Sequence, residues 1–411
     1  MKIGYLLEQG VGIRERPFSG PANHVYHVVR GLEARGHQIR LLNREGGRIW
    51  KSDNLEDFEP VHVRGTDDGP WHLLEKITRR TQSLFRVPYF GYFEAERFAR
   101  ACQQELVGFD LLYQRNSWMG FGGGLAAQRM NISLILEDNG DHIDDLSAKN
   151  ESPVSLQLSL AQARMKKAMG RASHVISSGE GWRRTFIWRW QYDSDRVTTI
   201  ENGTELCDLL QRDQLHSFRD NVPARKTVTL IYVGGFYPWH GISILLPALA
   251  CARKQGINAL LILVGSGSGF TEAQELTEEL ALTDIVTFTG QLKPEEYAPR
   301  LAEADIGVSP YCGWKEYSGL KILDYKAMGL ATIASGLDGM PPTLTHGQTG
   351  LIVPPCDENA LCEAIVRLST DADLRRQMGQ QARLEAEQIH SWDFTATQIE
   401  KVFKQVLEQK A

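Results

Sequence analysis

Two carboxylates, Glu316 and Asp324, stand eight positions apart in the stretch WKEYSGLKILDYKAMGLATIAS, residues 314–335. Between them, Ser318 and Gly319 open a segment whose apolar residues (Leu320, Leu323, Ala327, Met328) recur at helical spacing. Gly329 sits where such a helix stops, and Ala331–Ser335 reads as a short buried strand. The spacing predicts that Glu316 lies in the loop before a helix N-terminus and Asp324 in the second turn. The N–H groups of Gly319, Leu320 and Lys321 then lack intrahelical partners, and the helix dipole makes that end attractive to an anion. A carboxylate repels phosphate, so each acid suits a hydroxyl-rich group attached to the phosphate, a sugar on one side and a ribose on the other. That is the chemistry of a sugar nucleotide. The competing reading is a solvated helix face on which Lys315 or Lys326 pairs with the acids.

The elements that must position these residues follow from composition and pattern. A chain of 411 residues predicts two or more domains, and 42% hydrophobic with 23% charged residues is ordinary for a soluble globular protein. A formal net charge of −6 argues against a general nucleic-acid binder. The six cysteines (Cys102, Cys207, Cys251, Cys312, Cys356, Cys362) form no CxxC pair. They read as neither a zinc site nor a disulfide framework, but as the reduced thiols of a cytosolic protein. The start, MKIGYLLEQG, is too short for the apolar core of a signal peptide. No stretch reaches the roughly 18 unbroken apolar residues of a membrane span.

In the first half, the strand Lys2–Leu7, a loop with Gly10, Gly12 and Gly20, and a helix starting near Pro21 form a βαβ unit with the strand Gln38–Leu42. No G-x-G-x-x-G is completed, which disfavours a nicotinamide dehydrogenase. His24 suits either sugar hydroxyls or an ordinary first-turn position. Residues 66–93 mix Lys76, Arg79, Arg80 and Arg86 with Leu84, Phe85, Tyr89, Phe90, Tyr92 and Phe93. Such a stretch can touch an anionic membrane or line an acceptor cleft, and reads foremost as a helix–loop–helix with a solvated basic face. Strands at Asp110–Gln114 and Ser133–Glu137 deliver Arg115 and Asn139 to one sheet edge, with His142 three residues beyond Asn139. Between Gly181 and Gln191, three tryptophans alternate with arginines, as in a packed helix with snorkelling side chains. Residues 205–226 read as a polar interdomain linker. Two buried strands follow, Thr227–Val233 leading to Gly234 and Gly235, and Asn258–Val264 leading to Gly265. Another, Ile285–Thr289, ends at Gly290-Gln-Leu292-Lys293.

The segment 316–324 resembles the E-x7-E signature of retaining GT-B glycosyltransferases of family 4, here as E-x7-D. The YQRNS…LILEDNG text, Asn202-Gly203, the Gly234-Gly235 loop and Gly347–Pro354 are similar to the same family. This implies an α/β fold of the GT-B class, two Rossmann-like domains facing a central cleft. The first, 1–203, would bind the acceptor and the second, 204–388, the nucleotide sugar, with a helix over 389–411 crossing back to the first. Domain closure about the linker would exclude water. The resemblance implies that Glu316 grips the transferring sugar and that Lys321 and the helix end meet the diphosphate. It places Asp324 on the ribose, and Gly20, Gly234, Gly235, His240, Gly265, Leu292, Ser318, Gly319 and Leu320 around the donor. Asn139 stands where many relatives carry a histidine. The Arg and Lys with which relatives grip the diphosphate are replaced here by Gly235 or Phe236 and by His240. The implied reaction is transfer from a nucleotide-diphosphate sugar, UDP favoured, to an acceptor hydroxyl. No metal or other cofactor is expected, since no Asp-x-Asp stands at an obvious strand end. The expected location is cytoplasmic, with peripheral membrane contact in reach. An epimerase or hydrolase of the same fold, or a binding protein without turnover, are the alternatives.

Overall fold

A computed structural model describes residues 1–16, 19–67, 70–84, 91–148, 155–209, 227–312, 319–336 and 343–410. The chain divides into two compact units, Met1–Glu201 with Thr395–Ala411, and Asn202–Phe394.

In the first unit, the alternating element types follow the apolar runs. The elements are β1 (Lys2–Leu7), α1 (Gly20–Ala34), β2 (Gln38–Glu45), β3 (Arg48–Ser52), β4 (Glu59–Val61), α2 (Pro70–Leu84) and α3 (Tyr92–Glu105). They continue with β5 (Leu111–Arg115), α4 (Gly122–Met130), β6 (Ser133–Asp138), α5 (His142–Ala148), α6 (Ser155–Met169), β7 (His174–Ser177), α7 (Glu180–Trp190) and β8 (Val197–Thr199). The sheet order is β4-β3-β2-β1-β5-β6-β7-β8. β1 pairs in parallel with both β2 and β5, so the connections reverse direction between β1 and β5. In open α/β sheets, ligands bind at such a switch point, beyond the carboxyl ends of the strands. β3 and β4 are antiparallel additions that the sequence pattern did not reveal. They are short, and Arg48, Lys51 and Glu59 interrupt any alternation. α2 and α3 flank residues 85–90, which lie outside the described residues together with Phe85, Arg86, Tyr89 and Phe90. In α7, Trp182 and Trp190 are buried while Trp188 is exposed, and Arg189 pairs with Asp141 and Asp144.

The second unit holds α8 (Leu206–Leu209), β9 (Val228–Val233), α9 (Ile242–Lys254), β10 (Ala259–Val264), α10 (Phe270–Glu279), β11 (Val286–Gly290) and α11 (Pro294–Glu303). It continues with β12 (Ile306–Ser309), α12 (Leu320–Ala327), β13 (Ala331–Ser335), β14 (Gly350–Val353), α13 (Glu358–Thr370) and α14 (Ala372–Ile389). Its strands form an all-parallel sheet in the order β11-β10-β9-β12-β13-β14, with the switch point between β9 and β12. Leu230, Leu261, Leu263, Val308 and Ile333 fill one core with Leu245, Leu249 and Ile365 from α9 and α13. The expectation of a linker from residue 205 onward needs correction. Leu206 is fully buried against Ile231, Tyr325 and Met328, so the segment around α8 belongs to the packed body. Residues 210–226 lie outside the described residues.

The cysteines also differ from expectation. Cys251 is joined to Cys362, linking α9 with α13, and Cys312 to Cys356, while Cys102 and Cys207 are free and buried. Partners 111 and 44 residues apart leave no spacing signal in the sequence.

The last helix, α15 (Trp392–Glu408), belongs from Thr395 onward to the first unit. There Phe403 is fully buried with its ring edge-on to Tyr113. Among the described residues, no helix is long and apolar enough to cross a membrane.

Candidate functional site

At the switch point of the second unit, β9 and β12 pair only at Leu230–Ile306 and Ile231–Gly307 and then part. The hydroxyl of buried Tyr325 fills the gap, accepting from the Val233 N–H at 2.9 Å and donating to the Val308 carbonyl at 3.2 Å. Gly307 makes room for that ring, since a Cβ there would lie 2.4 Å from it. Beyond the strand ends the backbones close up. Gly241 has φ +72° and a Cβ on it would overlap the Pro310 carbonyl oxygen, while a Cβ on Gly265 would overlap that of Gly234. Only glycine permits such approaches.

The loop after β9 meets Lys321. Its ammonium lies 3.2 Å from where a Gly234 Cβ would sit, 5.0 Å from the Tyr232 ring centroid and 4.3 Å from that of Tyr311. Lys321 stands in the first turn of α12, after Leu320 as first residue and Gly319 as an N-cap without a side chain. A Cβ on Gly319 would lie 2.5 Å from the Thr343 hydroxyl oxygen. His240 is buried, with Nδ1 2.5 Å from the Gly235 carbonyl and 3.1 Å from the Tyr232 hydroxyl. It therefore orders the loop. The fixed cation of this corner is Lys321.

Asp324, one turn further along α12, is half-buried, and both carboxylate oxygens are engaged. Oδ1 accepts from the Thr204 hydroxyl at 2.7 Å and Oδ2 from the Tyr297 hydroxyl at 2.9 Å. Burial, aided by nearby Glu205, pushes the acid up to about 7, against the pull of the two hydroxyls. Leu292, Tyr297 and Val233 are half-buried and each packs against the apolar cluster that contains Tyr325 and Leu206. Lys326, offered as an alternative partner of the acids, is fully buried, and its Nζ lies 3.0 Å from Glu385 and 2.9 Å from His390 Nε2. Burial, then the Lys326 charge, pushes His390 down to about 3, so it accepts that bond as a neutral ring. Glu316, Ser318 and Lys315 lie outside the described residues.

In the first unit, the carboxyl ends of β1, β5 and β6 gather a polar knot around Glu137. Its Oε1 lies 2.8 Å from His24 Nε2 and accepts from Arg115 Nη1 at 2.8 Å and from the Asn139 amide. Its Oε2 accepts from the Tyr5 hydroxyl at 2.8 Å. Burial works against the charge, but His24, Arg115 and Tyr5 outweigh it and hold Glu137 well below the usual carboxylate range. Asn139 is thus oriented by its neighbour two residues back, and His24 serves the knot from the first turn of α1. Gly20 is the exposed first residue of that helix, behind the N-cap Ser19. Next to Glu137, burial pushes Asp138 up to about 7 despite a 2.8 Å bond from Asn116.

The structure thus brings Gly234, Gly235, His240, Gly265 and Lys321 into one corner, with Gly319 and Leu320 opening the helix that carries Lys321. It places Leu292 and Asp324 in a second nook of the same unit, and Gly20 and Asn139 at the sheet edge of the other unit. Thr204, Tyr232, Tyr297 and Tyr311 were not anticipated. They are ordinary residues of a loop, strand and helix, and only the folded chain sets them beside the site.

Comparison with known proteins bears on this arrangement. The family described as "Glycosyl transferases group 1" matches residues 227–371, and the "Glycosyl transferase 4-like domain" matches 19–203. A D-inositol 3-phosphate glycosyltransferase of Corynebacterium glutamicum is 27% identical over 407 residues, covering 95% of this chain and 92% of that protein. A phosphatidyl-myo-inositol mannosyltransferase of Mycobacterium leprae is 30% identical over 222 residues, 53% of this chain and only 56% of that protein. Among solved structures, Anabaena HepE in complex with UDP and glucose superposes with a TM-score of 0.67 at 17% identity, over 98% of this chain and 100% of that one. With residues 227–371 matched by the group 1 glycosyltransferases, residues 19–203 by the glycosyl transferase 4-like domain, and two parallel-sheet α/β units in the fold, this chain is a glycosyltransferase of the GT-B class.

Proposed function

We propose that the protein is a retaining enzyme that moves a hexosyl group from a nucleoside-diphosphate sugar, with UDP favoured, to an acceptor hydroxyl without a metal ion. The observation that carries this reading is the Lys321 ammonium set against Gly234 at the start of α12, with Asp324 one turn on. The chemical demand is to stabilise a diphosphate as its bond to the sugar breaks, an electrostatic task. Lys321 and the N–H groups at the start of α12 meet that charge, and Asp324 takes the ribose. Glu316 holds hydroxyls of the transferring sugar, and Asn139, aimed by Glu137, is proposed as a further sugar contact. The C1–oxygen bond to the diphosphate breaks while the bond to the acceptor oxygen forms on the same face. The acceptor proton passes to the leaving phosphate. The relatives named for inositol phosphate and phosphatidyl-myo-inositol make an inositol-type hydroxyl the first acceptor to try.

Thermal unfolding with UDP, GDP, ADP, CDP and dTDP, each in EDTA or Mg²⁺, tests the donor half. A nucleotide at about 100 times its Kd adds roughly 2.7 kcal/mol. UDP should raise the melting point in EDTA, and Lys321→Ala should remove most of the rise. No response to any of the five would overturn the reading. A rise only with GDP would move the donor to a GDP-sugar, and a rise only with Mg²⁺ would remove the metal-free element.

A further inference from the structure

The carboxylate of Asp324 is half-buried between two hydroxyls. On one side stands Thr204, which is 3% exposed. Its N–H donates to the His390 carbonyl at 2.8 Å, and its hydroxyl accepts from the Leu206 N–H at 3.1 Å while donating to Asp324. Every polar group of that residue except its carbonyl is therefore committed. On the other side stands Tyr297, half-buried and packed, like Leu292 and Val233, against the apolar cluster that contains Tyr325. The helix that carries it, α11, is capped at its start by Glu296, whose carboxylate accepts from the Lys293 N–H at 2.8 Å.

The Tyr297 hydroxyl spends its one proton on Asp324, which leaves it an acceptor toward anything else. Burial, then the neighbouring Asp324 charge, pushes the phenol far up, so it keeps that proton throughout the working pH range. Tyr297 and Asp324 thus present two acceptor oxygens 2.9 Å apart. That separation is a hydrogen-bond length, as is the spacing of the two hydroxyls of a vicinal diol. Aspartate is one methylene shorter than glutamate. A second oxygen on a rigid aromatic arm supplies reach that the shorter acid gives up.

We propose that Tyr297 is a specificity residue for the donor, pairing with Asp324 to read the 2′,3′-diol of the ribose while Thr204 fixes the carboxylate from behind. This rests on the reading that Asp324 faces the nucleoside.

The test is calorimetric titration of wild type, Tyr297→Phe and Asp324→Asn with the nucleoside diphosphate that stabilises wild type, and with its 2′-deoxy and 3′-deoxy forms. Wild type should prefer the ribonucleotide by roughly tenfold or more, the scale of one hydrogen bond to a charged partner. Tyr297→Phe should weaken the ribonucleotide about tenfold and erase its advantage over the deoxy form that lacks the hydroxyl read by Tyr297, while the advantage over the other deoxy form remains. Asp324→Asn keeps the side-chain size and should erase that remaining advantage, which tests the pair where the Phe variant folds poorly. A structural role alone would weaken ribo and deoxy forms equally, and that result, or both preferences intact in Tyr297→Phe, would overturn the assignment. Should wild type bind no nucleotide at all, the donor reading itself fails, a result separable from a failure of Tyr297 alone.

Discussion

Glu8 directly follows β1 with its carboxyl almost sealed from solvent, accepting from Gln114 Nε2 at 3.0 Å and from the Gly123 N–H at 2.7 Å. It caps the start of α4, a helix to which it is not connected in sequence. Burial nonetheless pushes the acid up to about 7, against those bonds and the nearby Arg44. The folded state therefore binds this proton more tightly than the unfolded chain, and stability falls as pH rises from the ordinary carboxylate range to 7. Asp138 and Asp324, both pushed up to about 7 by burial, act in the same direction. Glu137, held low by His24 and Arg115, acts oppositely, and its contribution is lost only on acidification below the ordinary carboxylate range. Glu8→Gln keeps an acceptor for Gly123 and removes one of the raised acids. It should be near neutral at pH 5 and stabilising at pH 8 by on the order of 3 kcal/mol, read by urea denaturation at the two values. An unchanged slope of stability with pH would mean that Glu8 is ionised without penalty.

At the scale of elements, the cysteine pairs make the sharpest claim. Cys251 on α9 and Cys362 on α13 bind together two helices of the second unit, and Cys312 with Cys356 ties the loops after β12 and β14. Thiol titration of the unreduced, denatured chain should find only Cys102 and Cys207 reactive. Full reduction should expose all six cysteines and lower the unfolding midpoint, since closing the long Cys251–Cys362 loop contributes on the order of 4 kcal/mol in the chain-entropy account. Six reactive thiols before reduction would restore the reduced state that the sequence suggested. The same contrast decides what was legible in advance. Thr227–Val233 and Asn258–Val264 announce themselves because strands buried on both faces must be almost wholly apolar. The helix from Leu320 and its Gly329 stop were equally plain. β3 and β4 were not, since short strands with charged residues give no period. Nor were the partners of Asp324, because Thr204 lies 120 residues away and Tyr297 lies 27 away, where pattern carries no information. Residue types at the site could be read, but their hydrogen bonds could not.

For the whole molecule, the division at Glu201/Asn202 and Phe394/Thr395 means that each unit carries its own core. Gly203 marks how tightly the chain is drawn there, since a Cβ on it would lie 2.4 Å from the Trp392 backbone nitrogen. The first unit is completed by the far end of the chain. Ile399, Val402, Phe403 and Val406 are buried, and Arg35 donates to Glu400 at 3.1 Å. Apart from Gly20, the residues proposed for the donor, Gly234 to Asp324, belong to the second unit. A change in one unit's core and a ligand on the other should therefore act on different unfolding transitions. Phe403→Ala removes a fully buried ring and should cost about 3–5 kcal/mol in the first unit. The nucleotide should add roughly 2.7 kcal/mol to the second at 100 times its Kd. Scanning calorimetry of wild type and variant, each with and without nucleotide, separates the two. The variant should lower one transition and leave the nucleotide's upward shift of the other intact. One transition moved by both would show the units unfolding as a single cooperative body, and the donor site would then depend on the C-terminal helix for its stability.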